Sequence, residues 1–296
     1  MHHSGRGSSA IDIIKTYYLL TKPERTFTNV IMAVSAYLFA SLWHIDWQTL
    51  LELIVGTTLV IASACVWNNI IDSNIDKKMN RTKNRALPSG KISRNSAIFL
   101  GSCLALSGFL IVSQINRLTL LTLGIPGFVG YIFFYGWAKR NTVYSTLIGT
   151  VPGGASIVAG YTASKDSLDM AALILFLIMV GWQMTHFYSI AIYRVKDYTA
   201  AKIPVISVRK GIKTTRRHMI FYLLVFILSN LWLSLSGYSG YVYAVIMLSI
   251  GLIWLRKGLV GFKSADNSVW ARDMFKFSLV VILVLPLVLS FGSVLP

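Results

Sequence analysis

The chain has 296 residues, of which 55% are hydrophobic and only 13% are charged, and its mean hydropathy is +0.62. Because soluble globular domains carry about 25% charged residues, this composition argues against a soluble enzyme and favours a chain that faces lipid. The net charge of +17 would suggest nucleic-acid binding in a soluble protein. Here the basic residues follow a membrane topology, so we expect a lipid bilayer and no nucleic acid as a partner.

Residues 1–10 are expected to be disordered or derived from a tag, which leaves residues 11–296 as a single transmembrane domain. Nine apolar stretches follow, each close to the roughly 20 residues that a helix needs to cross a bilayer. They are residues 27–45, 49–70, 95–113, 118–136, 145–163, 168–190, 217–236, 238–256 and 274–294. Because backbone groups in lipid must be hydrogen-bonded within their own segment, we predict an all-α polytopic membrane protein. About nine transmembrane helices should form a single bundle around a central cavity that opens to the cytoplasmic side.

Lysine and arginine are concentrated in the N-terminal arm and in the loops that follow the even-numbered stretches. The opposite loops carry only Arg117 and Lys165. The positive-inside rule therefore predicts a multi-pass protein of the cytoplasmic membrane, with its N-terminus and even-numbered loops in the cytoplasm and its C-terminus outside. Cys65 and Cys103 both fall in apolar stretches and are expected to be packing residues.

The second stretch ends in a row of oxygen-bearing side chains, Asn68, Asp72 and Asp76, which are spaced by four residues. On a helix this spacing places all three on one face, where the two carboxylates repel each other. A magnesium ion would compensate this repulsion, since Mg²⁺ binds one or two carboxylates and completes its shell with substrate phosphates. The pattern therefore predicts a Mg²⁺ site at Asn68, Asp72 and Asp76.

Basic residues follow at once, and arginine presents forked donors that suit phosphate oxygens. Lys77, Arg81 and Arg85, together with Asn68, are therefore predicted to bind a diphosphate. The alternative is a solvated helix end with ordinary ion pairs between neighbouring turns. Ionisable groups so close to an apolar segment favour the functional interpretation.

His186 lies inside the otherwise apolar sixth stretch, with Gln183 one turn earlier as a plausible partner. The imidazole is a candidate haem ligand, general base or hydrogen-bond donor. A histidine satisfied by a neighbouring helix is the alternative. The choice among these roles stays open at the level of the sequence.

A second group of polar residues follows this stretch. Asp197 is a candidate second metal ligand, or it forms an ion pair with Lys196 or Arg194. Arg194, Lys196 and Lys202 are candidates to neutralise a departing diphosphate, because charge stabilisation of the leaving group promotes ionisation. The two polar loops, about 71–94 and 191–216, are expected to face each other across one cavity.

Three segments resemble the protohaem IX farnesyltransferase family, within the intramembrane aromatic prenyltransferase superfamily. They are NNIIDSNIDKKMNRTKNRALPSG from Asn68, WQMTHFYSIAIYRVKDYTAAKIPV from Trp182, and the stretch from Tyr135 to Ala155. Tyr193 stands where most members of the superfamily carry the first Asp of a second acidic motif. The resemblance covers nearly the whole chain after about residue 15.

This resemblance implies that residues 11–296 form a prenyltransferase domain. It would transfer a farnesyl group from farnesyl diphosphate to a vinyl group of haem B, with addition of water, to give haem O. The partners are then farnesyl diphosphate and haem B, with a haem A synthase or a haem-copper oxidase as a candidate protein partner. The implied catalytic residues are Asp72, Asp76, Asp197, His186, Tyr193 and Lys196, and the implied haem contacts are His186, Gln183 and Tyr188.

Two other functions remain open. A prenyltransferase could act on another acceptor, such as a quinone precursor or a chlorophyll-like ring, although Tyr193 argues against that. A haem or lipid transporter would place its polar groups near the midplane, whereas the polar groups here lie at one membrane face.

Overall fold

The computed structural model describes residues 10–77, 82–264 and 266–296. The segment predicted to be disordered or tag-derived lies outside the described residues except for Ala10, and so does the predicted diphosphate ligand Arg81.

The described residues are helical almost throughout. The helices are α1 (Ala10–Leu20), α2 (Pro23–Ser41), α3 (Trp47–Asp76), α4 (Arg94–Val112), α5 (Arg117–Thr122), a π-helix (Leu123–Tyr135), α6 (Gly136–Asn141), α7 (Ser145–Lys165), α8 (Met170–Tyr193), α9 (Val195–Ala200), α10 (Ile206–Arg209), α11 (Gly211–Leu235), α12 (Tyr241–Val260), a short 3₁₀ turn (Gly261–Lys263) and α13 (Asn267–Gly292).

Polar residues just before the apolar stretches fix where several long helices begin. The side chains of Asp46, Ser93, Asp169 and Asp266 each accept a hydrogen bond from a backbone N–H in the first turn of α3, α4, α8 and α13, respectively. Such caps satisfy donors that have no partner within the helix. The start of each of these helices is therefore specified locally.

Within the described residues, seven helical segments are long and apolar enough to cross a membrane. The prediction of an all-α multi-pass membrane protein is confirmed. Each of the nine predicted apolar stretches lies largely within a long helical segment of the described chain, and the fourth combines α5, the π-helix and α6. Helices α2 and α7 are the two outside the set of seven: α2 carries Glu24, Arg25 and Asn29 in its first two turns, and α7 mixes small and hydroxyl residues with apolar ones.

The core of the bundle lies where α2, α7, α8, α11, α12 and α13 meet, and its largest fully buried side chains include Trp254, Tyr243 and Phe226. Glycines allow the closest approaches. A Cβ at Gly160 on α7 would overlap the Ala33 carbonyl oxygen on α2, so these two helices touch backbone to backbone.

The π-helix is unusual in its length, because π-helical hydrogen bonding is rare and occurs mostly as a single turn. Pro126 lies within it and has no N–H to donate, which weakens the α-helical alternative at that point. The ring of Tyr131 stacks on that of Tyr135, with centroids 5.5 Å apart. Wide turns of this kind often occur at functional sites.

The segments around the end of α3 meet at one end of the bundle. Lys22, Arg85 and Lys139 reach the last turns of α3, and Ile75 packs against the hydrophobic residues of segment 198–208. The two polar loops that follow α3 and α8 therefore lie at the same end.

Candidate active site

The last turns of α3 present the predicted oxygen face. Asn68, Asp72 and Asp76 are all buried, with 4%, 2% and 2% of their surface exposed. The Asn68 amide nitrogen donates to Asp72 Oδ2 over 3.2 Å. Buried carboxylates are stable only when they are paired or hydrogen-bonded, so the partners of this face matter.

Four cations from three separate segments supply those partners. Lys22 Nζ lies 2.6 Å from Asn68 Oδ1, and Lys139 Nζ lies 2.7 Å from Asp72 Oδ2. Arg85 Nη1 lies 2.8 Å from Asp76 Oδ2. Arg140 donates to the Ile71 carbonyl oxygen over 2.6 Å and comes within 3.8 Å of Asp72 Oδ1. The site thus combines acidic oxygens with a ring of basic groups.

The residues of this face fit a magnesium ion bound together with a diphosphate. Asp72 Oδ1 is buried and accepts no hydrogen bond from the described residues, which leaves a hard oxygen available. No three His, Cys, Asp or Glu side chains converge within the described residues. A magnesium ion held by two carboxylates and an amide would complete its octahedral shell with water or with the phosphate oxygens of a bound ligand.

Lys22 precedes α2 and faces several other cations. Burial, reinforced by the charge of Arg25, lowers the pKa of Lys22 from its ordinary value to about 7. An anion bound nearby would favour the charged form again.

The second polar segment is less buried. Arg194 Nη1 lies 3.6 Å from Asp197 Oδ2, which is the ion pair expected under the alternative interpretation of Asp197. The Arg194 and Arg272 guanidinium groups lie 5.1 and 5.9 Å from the centre of the Tyr193 ring. Tyr193 is therefore held in a cationic environment.

A cavity of about 530 Å³ extends from this end of the bundle into its interior. Its walls come from α2, α3, the π-helix, α7, α8 and α13, and most of them are apolar. The polar side chains that line it include Arg25, Asn29, Tyr131, Gln183, His186 and Tyr193. Largely apolar cavities with a few convergent polar groups are typical of small-molecule sites.

His186 lines this cavity in a tight aromatic setting. Its ring stacks on Trp182 with centroids 4.9 Å apart, and its Nδ1 lies 2.7 Å from the Ser278 hydroxyl oxygen on α13. Gln183 also lines the cavity, and its side-chain nitrogen lies 3.5 Å from the Thr150 carbonyl oxygen.

Other predicted residues lie away from the cavity wall. Tyr188 is buried on α8, with its ring 6.2 Å from those of both His218 and Tyr222. Lys77, Lys196 and Lys202 are exposed at the same end of the bundle. The roles of these residues remain predictions.

Sequence reasoning passed over four basic residues at the site: Lys22, Arg25, Lys139 and Arg140. The positive-inside rule alone accounts for all four, as positive charge on the predicted cytoplasmic side. Within the described residues no carboxylate lies within ion-pair distance of Arg25, which lies beside Tyr131 at the cavity. Their only sequence signal is that each falls next to an apolar stretch on the predicted cytoplasmic side.

Solved structures share the fold of this chain. One, described under digeranylgeranylglyceryl phosphate synthase, superposes with a TM-score of 0.80 at 20% identity, over 95% of this chain and 98% of its own. A UbiA homologue from Archaeoglobus fulgidus bound to GPP and Mg²⁺ gives 0.71 at 14% identity, over 93% and 99%.

Curated relatives are much closer in sequence. A protoheme IX farnesyltransferase from Pectobacterium atrosepticum is 43% identical over 96% of this chain and 97% of its own length. The protein of the same name from Yersinia pseudotuberculosis is 43% identical over 94% and 95%. The model of the UbiA prenyltransferase family matches residues 29–280. This chain therefore belongs to the UbiA prenyltransferase family.

Proposed function

We propose that this protein transfers the farnesyl group of farnesyl diphosphate to a vinyl group of haem B, with addition of water, to form haem O and diphosphate. The observation that carries the proposal is the similarity, along almost the full chain, to proteins named protoheme IX farnesyltransferase. The site has the parts that such a reaction needs: an acidic and basic face at one end, and an apolar cavity beside it.

The face on α3 would hold the diphosphate. Asn68, Asp72 and Asp76 would bind Mg²⁺, which supplies charge neutralisation for the phosphate oxygens when bound. Lys22, Lys139 and Arg85 already contact these side chains and would turn to the phosphate oxygens. Asp197 with Arg194, Lys196 and Lys202 would assist from the opposite loop, and Lys77 and Arg81 complete the proposed basic set.

The apolar cavity would hold the farnesyl tail and the porphyrin. Ionisation of the allylic diphosphate gives a carbocation, which the vinyl π electrons attack to form the new carbon–carbon bond. Water then adds to the resulting cation on the porphyrin side and loses a proton. A closed apolar cavity keeps other water away until that step. His186, Gln183 and Tyr193, which line the cavity, are the residues that we assign to the haem side, and Tyr188 would support them from behind the cavity wall.

We further propose that residues 11–296 form one prenyltransferase domain in the cytoplasmic membrane, with the N-terminus and both polar loops in the cytoplasm and the C-terminus outside. The distribution of lysine and arginine supports this orientation. A haem A synthase or a haem-copper oxidase would receive the poorly soluble product.

The direct experiment incubates purified protein with haem B, farnesyl diphosphate and Mg²⁺ and examines the haem by mass spectrometry. The expected product is heavier by one farnesyl group and one hydroxyl group, and chelation of the metal should abolish it. Unmodified haem, together with turnover of a quinone precursor by the same preparation, would favour the other-acceptor prenyltransferase. Haem transport into vesicles without modification would favour the transporter.

A further inference from the structure

A chain of hydrogen bonds behind His186 determines which of its ring nitrogens carries the proton. The Ser278 hydroxyl oxygen lies 2.5 Å from the carbonyl oxygen of Phe275, one turn earlier on α13. Two oxygen atoms this close require a proton between them, and a carbonyl oxygen has none to give. The only hydrogen of the Ser278 hydroxyl is therefore directed at Phe275.

The second contact of that hydroxyl is with the imidazole. His186 Nδ1 lies 2.7 Å from the Ser278 oxygen. Since the hydroxyl hydrogen is already engaged, the oxygen can only accept, and Nδ1 must donate. A neutral imidazole with a proton on Nδ1 has an unprotonated Nε2 with a free lone pair.

The ring is also held in orientation by its neighbours. It lies between Trp182, with which it stacks, and Phe275, whose ring centroid is 5.1 Å away. The Trp182 indole donates in turn to the Ser278 carbonyl oxygen over 2.9 Å. Ser278 is fully buried. Its carbonyl oxygen holds Trp182, the stacking partner of His186, and its hydroxyl oxygen accepts the proton of His186 Nδ1.

The free nitrogen has no other partner in the part of the chain that is described, although His186 lines the cavity and is only half-buried. A lone pair left open in an apolar cavity suits a soft or borderline metal centre. Histidine ligands of metals usually donate their second ring N–H to an oxygen of the protein, as His186 does here. Haem iron is the metal centre that the proposed substrate would bring.

We propose that Ser278 is a positioning residue that holds His186 as its Nδ1–H tautomer, so that Nε2 coordinates the iron of the haem substrate. This inference rests on the proposed function for the identity of the metal centre. It assigns Ser278 a role that its sequence position on α13 does not suggest.

The test measures iron ligation in purified full-length protein titrated with haemin, by absorption and electron paramagnetic resonance. The native protein should give the spectrum of histidine-ligated iron. His186→Ala and the bulkier His186→Gln should lose that spectrum, and added imidazole should restore it in His186→Gly. Ser278→Ala should weaken haem binding by about 10- to 100-fold, the usual effect of losing a residue that orients a metal ligand. Ser278→Thr, which keeps the hydroxyl, should retain the native spectrum.

Ser290→Ala is the matched control, because its buried hydroxyl also donates to a backbone carbonyl of α13 but has no histidine beside it. It should bind haem as the native protein does.

An unchanged iron spectrum in both His186 variants would overturn the inference, and an unchanged spectrum and affinity in Ser278→Ala would overturn the role of Ser278. If native protein farnesylates haem while the His186 variants keep the native spectrum, only this inference fails. If native protein ligates haem through His186 but never modifies it, only the proposed function fails.

Discussion

Asp72 is the residue on which most of the site's electrostatics converge. Its carboxylate receives Lys139 and the Asn68 amide on one oxygen, while the other oxygen has, among the described residues, only the distant guanidinium of Arg140. Basic residues thus compensate the buried charge in the absence of substrate. A metal cation and a diphosphate would bring charges of opposite sign, and the same side chains could serve both states.

Asp72→Asn should abolish metal-dependent farnesyl transfer, with a loss of about 100-fold or more, because an amide cannot neutralise a divalent cation. Turnover is measured as the amount of farnesylated haem per unit time at saturating Mg²⁺. Asp273→Asn is the control, since that carboxylate also pairs with a lysine, Lys257, but lies in an exposed position. Full activity in both Asp72→Asn and Asp76→Asn would refute the metal assignment.

Lys139→Gln should raise the KM for farnesyl diphosphate by about 10- to 100-fold, because a charge-assisted contact to phosphate is lost in a partly buried setting. The measurement is the rate as a function of farnesyl diphosphate concentration at fixed haem. Lys257→Gln removes a lysine with an ion pair of similar length, 2.8 Å, whose partner is the exposed Asp273, and should leave the KM unchanged. Equal values for both variants would argue that Lys139 only stabilises the fold.

At the scale of the helices, the backbone contact between α2 and α7 shapes the cavity wall. Ser156 on α7 donates to Asn29 on α2 over 2.9 Å, and both residues line the cavity close to the Gly160 contact. A wider separation of these helices would therefore change the shape of the proposed substrate site.

Gly160→Ala should destabilise the protein by about 1–3 kcal/mol, because the new methyl group meets a backbone carbonyl that can only yield if α2 moves. The readout is the midpoint of thermal unfolding in detergent, which should fall by several degrees. Gly124→Ala is the control, since its Cβ would lie 3.6 Å from the nearest atom, Phe109 Cε1. A midpoint for Gly160→Ala equal to that of the control would contradict the packing argument.

The sequence was sufficient to predict the long helices, because apolar length and polar caps act locally. Asp169, for example, caps α8 through a residue three positions away. The changes from α-helix to π-helix and back within the fourth stretch were not predictable in this way. Nothing in LGIPGFVGYIFFY except Pro126 distinguishes a wide helix from an ordinary one, and its geometry depends on the helices packed around it.

For the site, the row of Asn68, Asp72 and Asp76 was predictable because spacing along one helix determines which side chains share a face. Its cationic partners were not, since Lys22 and Lys139 reach it across 46 and 67 residues of sequence. The tautomer of His186 depends on a hydroxyl 92 residues away. Contacts of this range arise from the packing of the whole bundle.

For the whole molecule, the segments that meet at the carboxylate face are the ones that carry the basic charge. Arg117 is one of the two basic residues in the opposite loops. Its neighbour Asn116 donates to the Thr162 carbonyl oxygen near the end of α7 and not to the carboxylate face. The asymmetry of charge between the two ends is thus a property of the folded bundle.

This asymmetry predicts opposite accessibility of two engineered cysteines. In a Cys103→Ser background, Lys196→Cys should react with a membrane-impermeant maleimide only in inside-out vesicles, and Ser236→Cys only in intact cells or spheroplasts. Both positions are exposed, and the remaining Cys65 is buried. The opposite labelling pattern would refute the proposed orientation, and labelling of both positions from one side would refute the path of the chain through the membrane.

The π-helix of Leu123–Tyr135 also determines how α6, which follows it directly, is rotated about the helix axis. Each residue removed from a helix turns the remainder about its axis by the rotation of one residue, which is about 100° in an α-helix. Deletion of Val129, whose side chain is exposed, should therefore turn Tyr131 and swing Lys139 away from Asp72. The number of residues in the π-helix therefore determines whether Lys139 points at Asp72 or into lipid.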